Sequence, residues 1–131
     1  MLREGPIPRL AHGVYEYVLG VLFIAAPFLF NFDSGSATGI SIAVGVALLV
    51  LAAVSEGPTG LVQQLPSTVH VTIDALLAIF LIAGPFILGF SDESAPRNFF
   101  IIFGVVHLLM CIGTRFRDAP KPAPRGGATA A

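Results

Sequence analysis

Five ionisable side chains interrupt otherwise apolar stretches of this chain: His12, Glu16, His70, Asp74 and His107. His12 precedes Glu16 by four residues and His70 precedes Asp74 by four, a spacing that puts each pair on one face of a helix. A histidine beside a carboxylate can exchange protons near neutral pH. Imidazole and carboxylate are also the nitrogen and oxygen donors of transition-metal sites. Three readings therefore compete. The expected one is structural. In it His12 and His70 sit at a lipid–water interface, and Glu16 and Asp74 occupy a first helical turn, where negative charge is favoured. His107 then satisfies a hydrogen bond inside a helix bundle. The second reading is a metal site made from the two histidines and two carboxylates, joined by His107. The third is proton handling in a small transporter or channel.

Known catalytic patterns are missing from the sequence. It has no glycine-rich phosphate loop, no nucleophile elbow and no His-Glu-x-x-His or Cys-x-x-Cys motif. Cys111, with His107 four residues earlier, resembles a thiolate pair, but in an apolar span the thiol is expected to be neutral and inert. No enzymatic activity and no cofactor are expected; His12 and His70 lie too near the surface for an ordinary intramembrane haem.

The elements that position these residues follow from composition. Of 131 residues, 55% are hydrophobic and 11% charged, against about a quarter charged in a soluble domain. The charges cluster at intervals: 16 uncharged residues separate Glu16 from Asp33, and 22 separate Asp33 from Glu56. A helix rising about 1.5 Å per residue needs roughly 20 apolar residues to cross a hydrocarbon core of about 30 Å. Spans are expected at residues 13–32, 38–55, 69–90 and 98–114. Alternating polarity, the mark of membrane strands, is absent, so the fold class is all-α with four transmembrane helices. Glu16 breaks the apolar core that a cleaved leader would need, so the first span is expected to be retained.

A shift of 58 residues superposes the first half of the chain on the second. Pro8, His12 and Glu16 fall on Pro66, His70 and Asp74, and ten of the thirty residues at 8–37 are identical to their counterparts at 66–95. One further residue of offset brings Gly45 onto Gly104. Each repeat holds two spans, so the two hairpins are expected to be parallel, related by a twofold-like axis along the membrane normal. On one face of the first span lie His12, Glu16, Gly20, Phe23 and Pro27. His70, Asp74, Ala78, Leu81 and Pro85 repeat that face, and Gly104, His107, Cys111 and Thr114 form a comparable one on the fourth span. Gly39, Ala43 and Ala47 make a small-residue column on the second span, read as tolerance of close packing.

Within the repeated face, Ala26-Pro27-Phe28 matches Gly84-Pro85-Phe86. Each proline should free the carbonyl four residues back, that of Phe23 and of Leu81, and kink its helix about two-thirds of the way across. The layout resembles the SPW-repeat family of small prokaryotic membrane proteins, in which a Ser-Pro-Trp motif stands in the first helix of each two-helix unit. Here the Ser and the Trp are both replaced, and the chain has no Trp. The resemblance covers the region from Pro8 to Thr114 and implies the duplicated membrane architecture but no established activity.

Basic residues set the expected orientation. Arg3 and Arg9 precede the first span, and Arg115, Arg117, Lys121 and Arg125 follow the fourth. Only Arg97 lies in the loops at the opposite end. Six against one places both termini in the cytoplasm of a cell with this protein in its inner membrane. The expected layout is a cytoplasmic segment at 1–11, a first membrane repeat at 12–55, a cytoplasmic loop at 56–68, a second repeat at 69–115 and a flexible tail at 116–131. The loop is expected to rest on the membrane through Leu61, Val62 and Leu65. The expected partners are the lipid bilayer and either another copy of the chain or a different membrane protein. With a net charge of −1, nucleic acid is not expected to bind.

Overall fold

The computed structural model describes residues 6–114. The expectations for Arg3 and for the basic tail fall outside those residues. Four helices follow one another: α1 (Arg9–Leu29), α2 (Gly35–Val54), α3 (Ser67–Ile87) and α4 (Ser94–Gly113). Each is 20 or 21 residues long and apolar enough to cross a membrane, a length of about 30 Å at 1.5 Å per residue. Packing of α1 on α2 and of α3 on α4 forms two hairpins. Both chain ends of the bundle and the α2–α3 loop share one end, here the terminal face; the α1–α2 and α3–α4 turns share the other, the hairpin face.

Backbone contact within each hairpin depends on glycine. A Cβ on Gly45 would lie 2.5 Å from the Gly20 carbonyl oxygen and 2.9 Å from the Ile24 nitrogen, so α1 and α2 touch main chain to main chain. Gly104 does the same work between α4 and α3, where a Cβ would meet Ile82 Cγ1 at 2.8 Å. Lipid is as apolar as leucine, so helices associate there through such close packing and through hydrogen bonds rather than through exclusion of water. The column of Gly39, Ala43 and Ala47 takes no part in this, because all three are exposed on the outer side of α2.

Both prolines lie in the last helical turn, later than the two-thirds point the sequence suggests, and the helices stop two residues after them. Asn31 and Gly89, equivalent in the repeat, adopt positive φ of 51° and 79°. The amide of Phe32 then donates to the Pro27 carbonyl at 3.0 Å, and Phe90 to Pro85 at 3.0 Å. This is a Schellman stop, with the left-handed residue at C′ and a phenylalanine following it. α1 and α3 thus end short of Phe32 and Phe90 and begin at Arg9 and Ser67, before the apolar runs do. Of the two carbonyls released by proline, that of Phe23 accepts from the Ser41 hydroxyl of α2 at 2.6 Å. The equivalent position on α4 is Phe100, which has no hydroxyl to offer. Ser41→Ala should therefore destabilise the first hairpin by about 0.6 kcal/mol and by no more than about 1.7, the average and maximum for hydrogen bonds between membrane helices, as read from unfolding in mixed micelles.

The α2–α3 loop folds back over the end of α2. Amides of Leu61 and Val62 donate to the Ala53 carbonyl, and those of Gln64 and Leu65 to Val54, which satisfies carbonyls that a helix end leaves open. The second repeat reproduces this closure with the N-terminal segment: Ile7 donates to the Gly113 carbonyl at 3.0 Å. Leu61 and Val62 remain exposed on the loop.

Candidate functional site

The three helical faces read from the sequence are the faces the bundle buries. His12, Glu16, Gly20, Phe23 and Pro27 on α1 are all buried, as are His70, Asp74, Ala78, Leu81 and Pro85 on α3 and Gly104, His107, Cys111 and Thr114 beside them. The two hairpins meet along these faces, which carry polar groups toward the terminal face and aromatic rings toward the hairpin face.

The polar half brings together all five ionisable residues. His12 Nε2 lies 3.2 Å from Glu16 Oε1 and 3.2 Å from Asp74 Oδ2; His70 Nε2 lies 2.9 Å from Glu16 Oε1 and 2.8 Å from Asp74 Oδ2. Each histidine thus touches the carboxylate of its own helix and that of the other hairpin. The outer ring nitrogens repeat the symmetry. His12 Nδ1 bonds the Thr114 hydroxyl at 2.8 Å, and His70 Nδ1 bonds the hydroxyl of Ser55, the equivalent residue at the end of α2. His107 breaks the symmetry: its Nε2 lies 3.2 Å from Asp74 Oδ1, whereas Leu48 occupies the matching place on α2. Its Nδ1 and the Tyr15 hydroxyl are buried without a hydrogen-bond partner, and the two rings stack with centroids 6.0 Å apart.

This placement corrects the expectation of interfacial histidines. His12 and His70 are buried, because α1 and α3 start before their apolar runs and the α2–α3 loop covers the end. Glu16, seven residues into α1, lies roughly 10 Å from the helix start rather than in its first turn. Thr59 of the loop packs against Gly13, where a Cβ would come within 1.9 Å of the threonine hydroxyl, and its carbonyl accepts from the Tyr17 hydroxyl at 2.9 Å. Arg9 donates to the Glu56 carbonyl at 3.1 Å and to the Ser67 hydroxyl at 2.7 Å. Between these groups a cleft of about 30 Å³ runs from the exposed Glu56 and Pro58 inward to His12, Glu16 and His70, room for about two waters.

Beyond the polar half the axis is filled by rings. Phe23 packs edge-on against Phe99 at 4.7 Å and Phe100 at 5.6 Å, and Phe90 against Phe100 at 5.1 Å. Gly84 faces Phe100, with 3.7 Å between a virtual Cβ and the ring, so the small residue before the second proline makes room for a ring. Ala26, Pro27, Gly84 and Pro85 point inward, whereas Phe28 and Phe86 are 70% and 63% exposed on the lipid side.

Among the described residues, two groups of side chains could hold a metal ion. In the first, one donor atom from each of His12, Glu16, His70 and Asp74 lies within 4.8 Å of the others; the second comprises Asp74, His107 and Cys111. Sequence periodicity identified every member. It missed the hydroxyls of Ser55 and Thr114 as their supports, although the repeat offset that pairs Gly45 with Gly104 pairs these two as well.

Four apolar membrane-length helices in two repeated hairpins, joined through a buried polar centre, define a multi-pass membrane protein of tandem-repeat type. The model of the SPW repeat domain matches residues 10–114, and the chain belongs to that family. No curated protein and no solved structure matches the chain.

Proposed function

We propose that this chain is a non-enzymatic structural or accessory component of the cell inner membrane, with both termini cytoplasmic. One observation carries the reading: the ionisable groups of both hairpins pair with each other across the hairpin interface. Polar contacts between helices are a main source of cohesion in lipid, and here they clamp the two hairpins together. The phenylalanines beyond the centre support a clamp over a conduit, since they fill the axis toward the hairpin face. The orientation is supported by the six-to-one distribution of basic residues. The partner is the lipid bilayer, and the outward faces of the four helices are where a further copy or another membrane protein would pack.

Proton flux into liposomes containing the purified chain tests this against the transporter alternative. The clamp reading expects flux equal to that of protein-free liposomes, unchanged by Glu16→Gln with Asp74→Asn. A flux that the wild type supports and this double variant abolishes would overturn it.

A further inference from the structure

We propose that His12 Nε2, His70 Nε2, Glu16 Oε1 and Asp74 Oδ2 form a binding site for one divalent transition-metal ion of the zinc class. The site goes beyond the clamp reading and does not depend on it.

Hydroxyl hydrogens fix the role of each Nδ1. The Ser55 hydroxyl donates to the Leu51 carbonyl and the Thr114 hydroxyl to the Met110 carbonyl. A hydroxyl has one hydrogen, so each oxygen can only accept from the neighbouring imidazole. Nδ1–H therefore donates in both rings, and each Nε2 is the atom turned toward carboxylate oxygens 2.8 to 3.2 Å away. Four donors from the two hairpins converge on one buried space, where a single cation can take the place of the Nε2 protons. A divalent ion serves all four donors at once and balances the two carboxylates, leaving the buried site neutral, as its position in the membrane demands.

The geometry agrees. Zinc bonds imidazole nitrogen and carboxylate oxygen at about 2.0 to 2.2 Å, which separates tetrahedral donors by roughly 3.3 to 3.6 Å. The four observed nitrogen–oxygen separations, 2.8 to 3.2 Å, are shorter, so the donors draw apart to admit the ion, those of His70 more than those of His12. Ligating histidines are characteristically oriented through their second nitrogen, the role of Ser55 and Thr114. His107 holds the remaining oxygen of Asp74 and is a positioning residue. The cleft beside Arg9 gives the ion its way in from the terminal face.

The test uses the full chain purified in detergent without a polyhistidine tag. Equilibrated with Zn²⁺ and freed of excess, it should retain one ion per chain by elemental analysis. Co²⁺ in its place should give the visible bands of a four-coordinate nitrogen–oxygen site, and His12→Gln or His70→Gln should abolish them. Ser55→Ala, which keeps every ligand, should weaken binding by about 10- to 100-fold. Cys111→Ser should leave the spectrum unchanged; a sulfur-to-cobalt charge-transfer band that this substitution removes would move the ion to the Asp74–His107–Cys111 group and overturn the assignment. A helical chain that keeps no Zn²⁺, with both rings showing the ¹⁵N shifts of imidazolium, would overturn it outright. Either result leaves the flux experiment to judge the clamp separately.

Discussion

Asp74→Ala is expected to destabilise the bundle by about 3 to 5 kcal/mol, the cost of removing one member of a buried charged group. Three imidazoles converge on this carboxylate, those of His12, His70 and His107, and alanine would leave all of them facing a space with no acceptor. Glu16 receives two histidines, so Glu16→Ala should cost less, although the residues are equivalent in the repeat. The difference originates in α4, where His107 stands at the position that Leu48 holds in α2. His107→Leu should accordingly be mild, within about 1 kcal/mol: it gives up one bond to Asp74 but also removes a buried nitrogen that has no partner. Reversible unfolding in mixed micelles, monitored by helical circular dichroism, measures all three. Equal losses for Asp74→Ala and Glu16→Ala would contradict the asymmetric centre.

Gly45→Leu should separate α1 from α2. Even the first atom of the new side chain would stand 2.5 Å from the Gly20 carbonyl oxygen and 2.7 Å from Ile24 Cγ1. The obstacle is main chain on a packed helix, so no rotamer change relieves it. Overpacking of a close-fitting interior costs about 1 to 3 kcal/mol, and in lipid no gain in buried apolar area offsets it. At Gly104 the nearest atoms are Ile82 Cγ1 at 2.8 Å, Leu81 Cβ at 3.0 Å and the Ile82 nitrogen at 3.1 Å, so main chain stands farther off than at Gly45. Gly104→Leu should therefore be tolerated better than Gly45→Leu. The same unfolding experiment ranks them, and the reverse order would show that the tight contact lies in the second hairpin.

Much of this arrangement is legible in the sequence because two periodicities coincide. Spacings of three and four residues place His12, Glu16, Phe23 and Pro27 on one face, and the 58-residue repeat places their counterparts on another, so periodicity alone marks the buried surfaces. Helix ends were less legible. Asn31 and Gly89 stop α1 and α3 through left-handed backbone, and an apolar run continuing to Phe32 or Phe90 conceals such a stop. The starts were hidden in the opposite way: Arg9 and Ser67 carry the helices beyond the apolar run, because the Arg9 guanidinium finds the Glu56 carbonyl and the Ser67 hydroxyl. Those missing turns, together with a loop folded over the end, convert apparently interfacial histidines into buried ones. The pairing of His107 with Asp74 has no counterpart in the repeat and follows no spacing, so it emerges only from the packing of α3 on α4.

The duplicated hairpins must cross the bilayer in parallel for the two polar faces to meet at one depth. Single cysteines introduced as Asp33→Cys, Asp92→Cys or Leu61→Cys, each in a Cys111→Ser background, test this with a membrane-impermeant maleimide on intact cells and on inverted vesicles. All three positions are exposed. Residues 33 and 92 should label only from outside the cell and residue 61 only from within. Labelling of 33 and 92 from opposite sides, or of either from the side that exposes 61, would contradict the parallel arrangement and with it the shared centre.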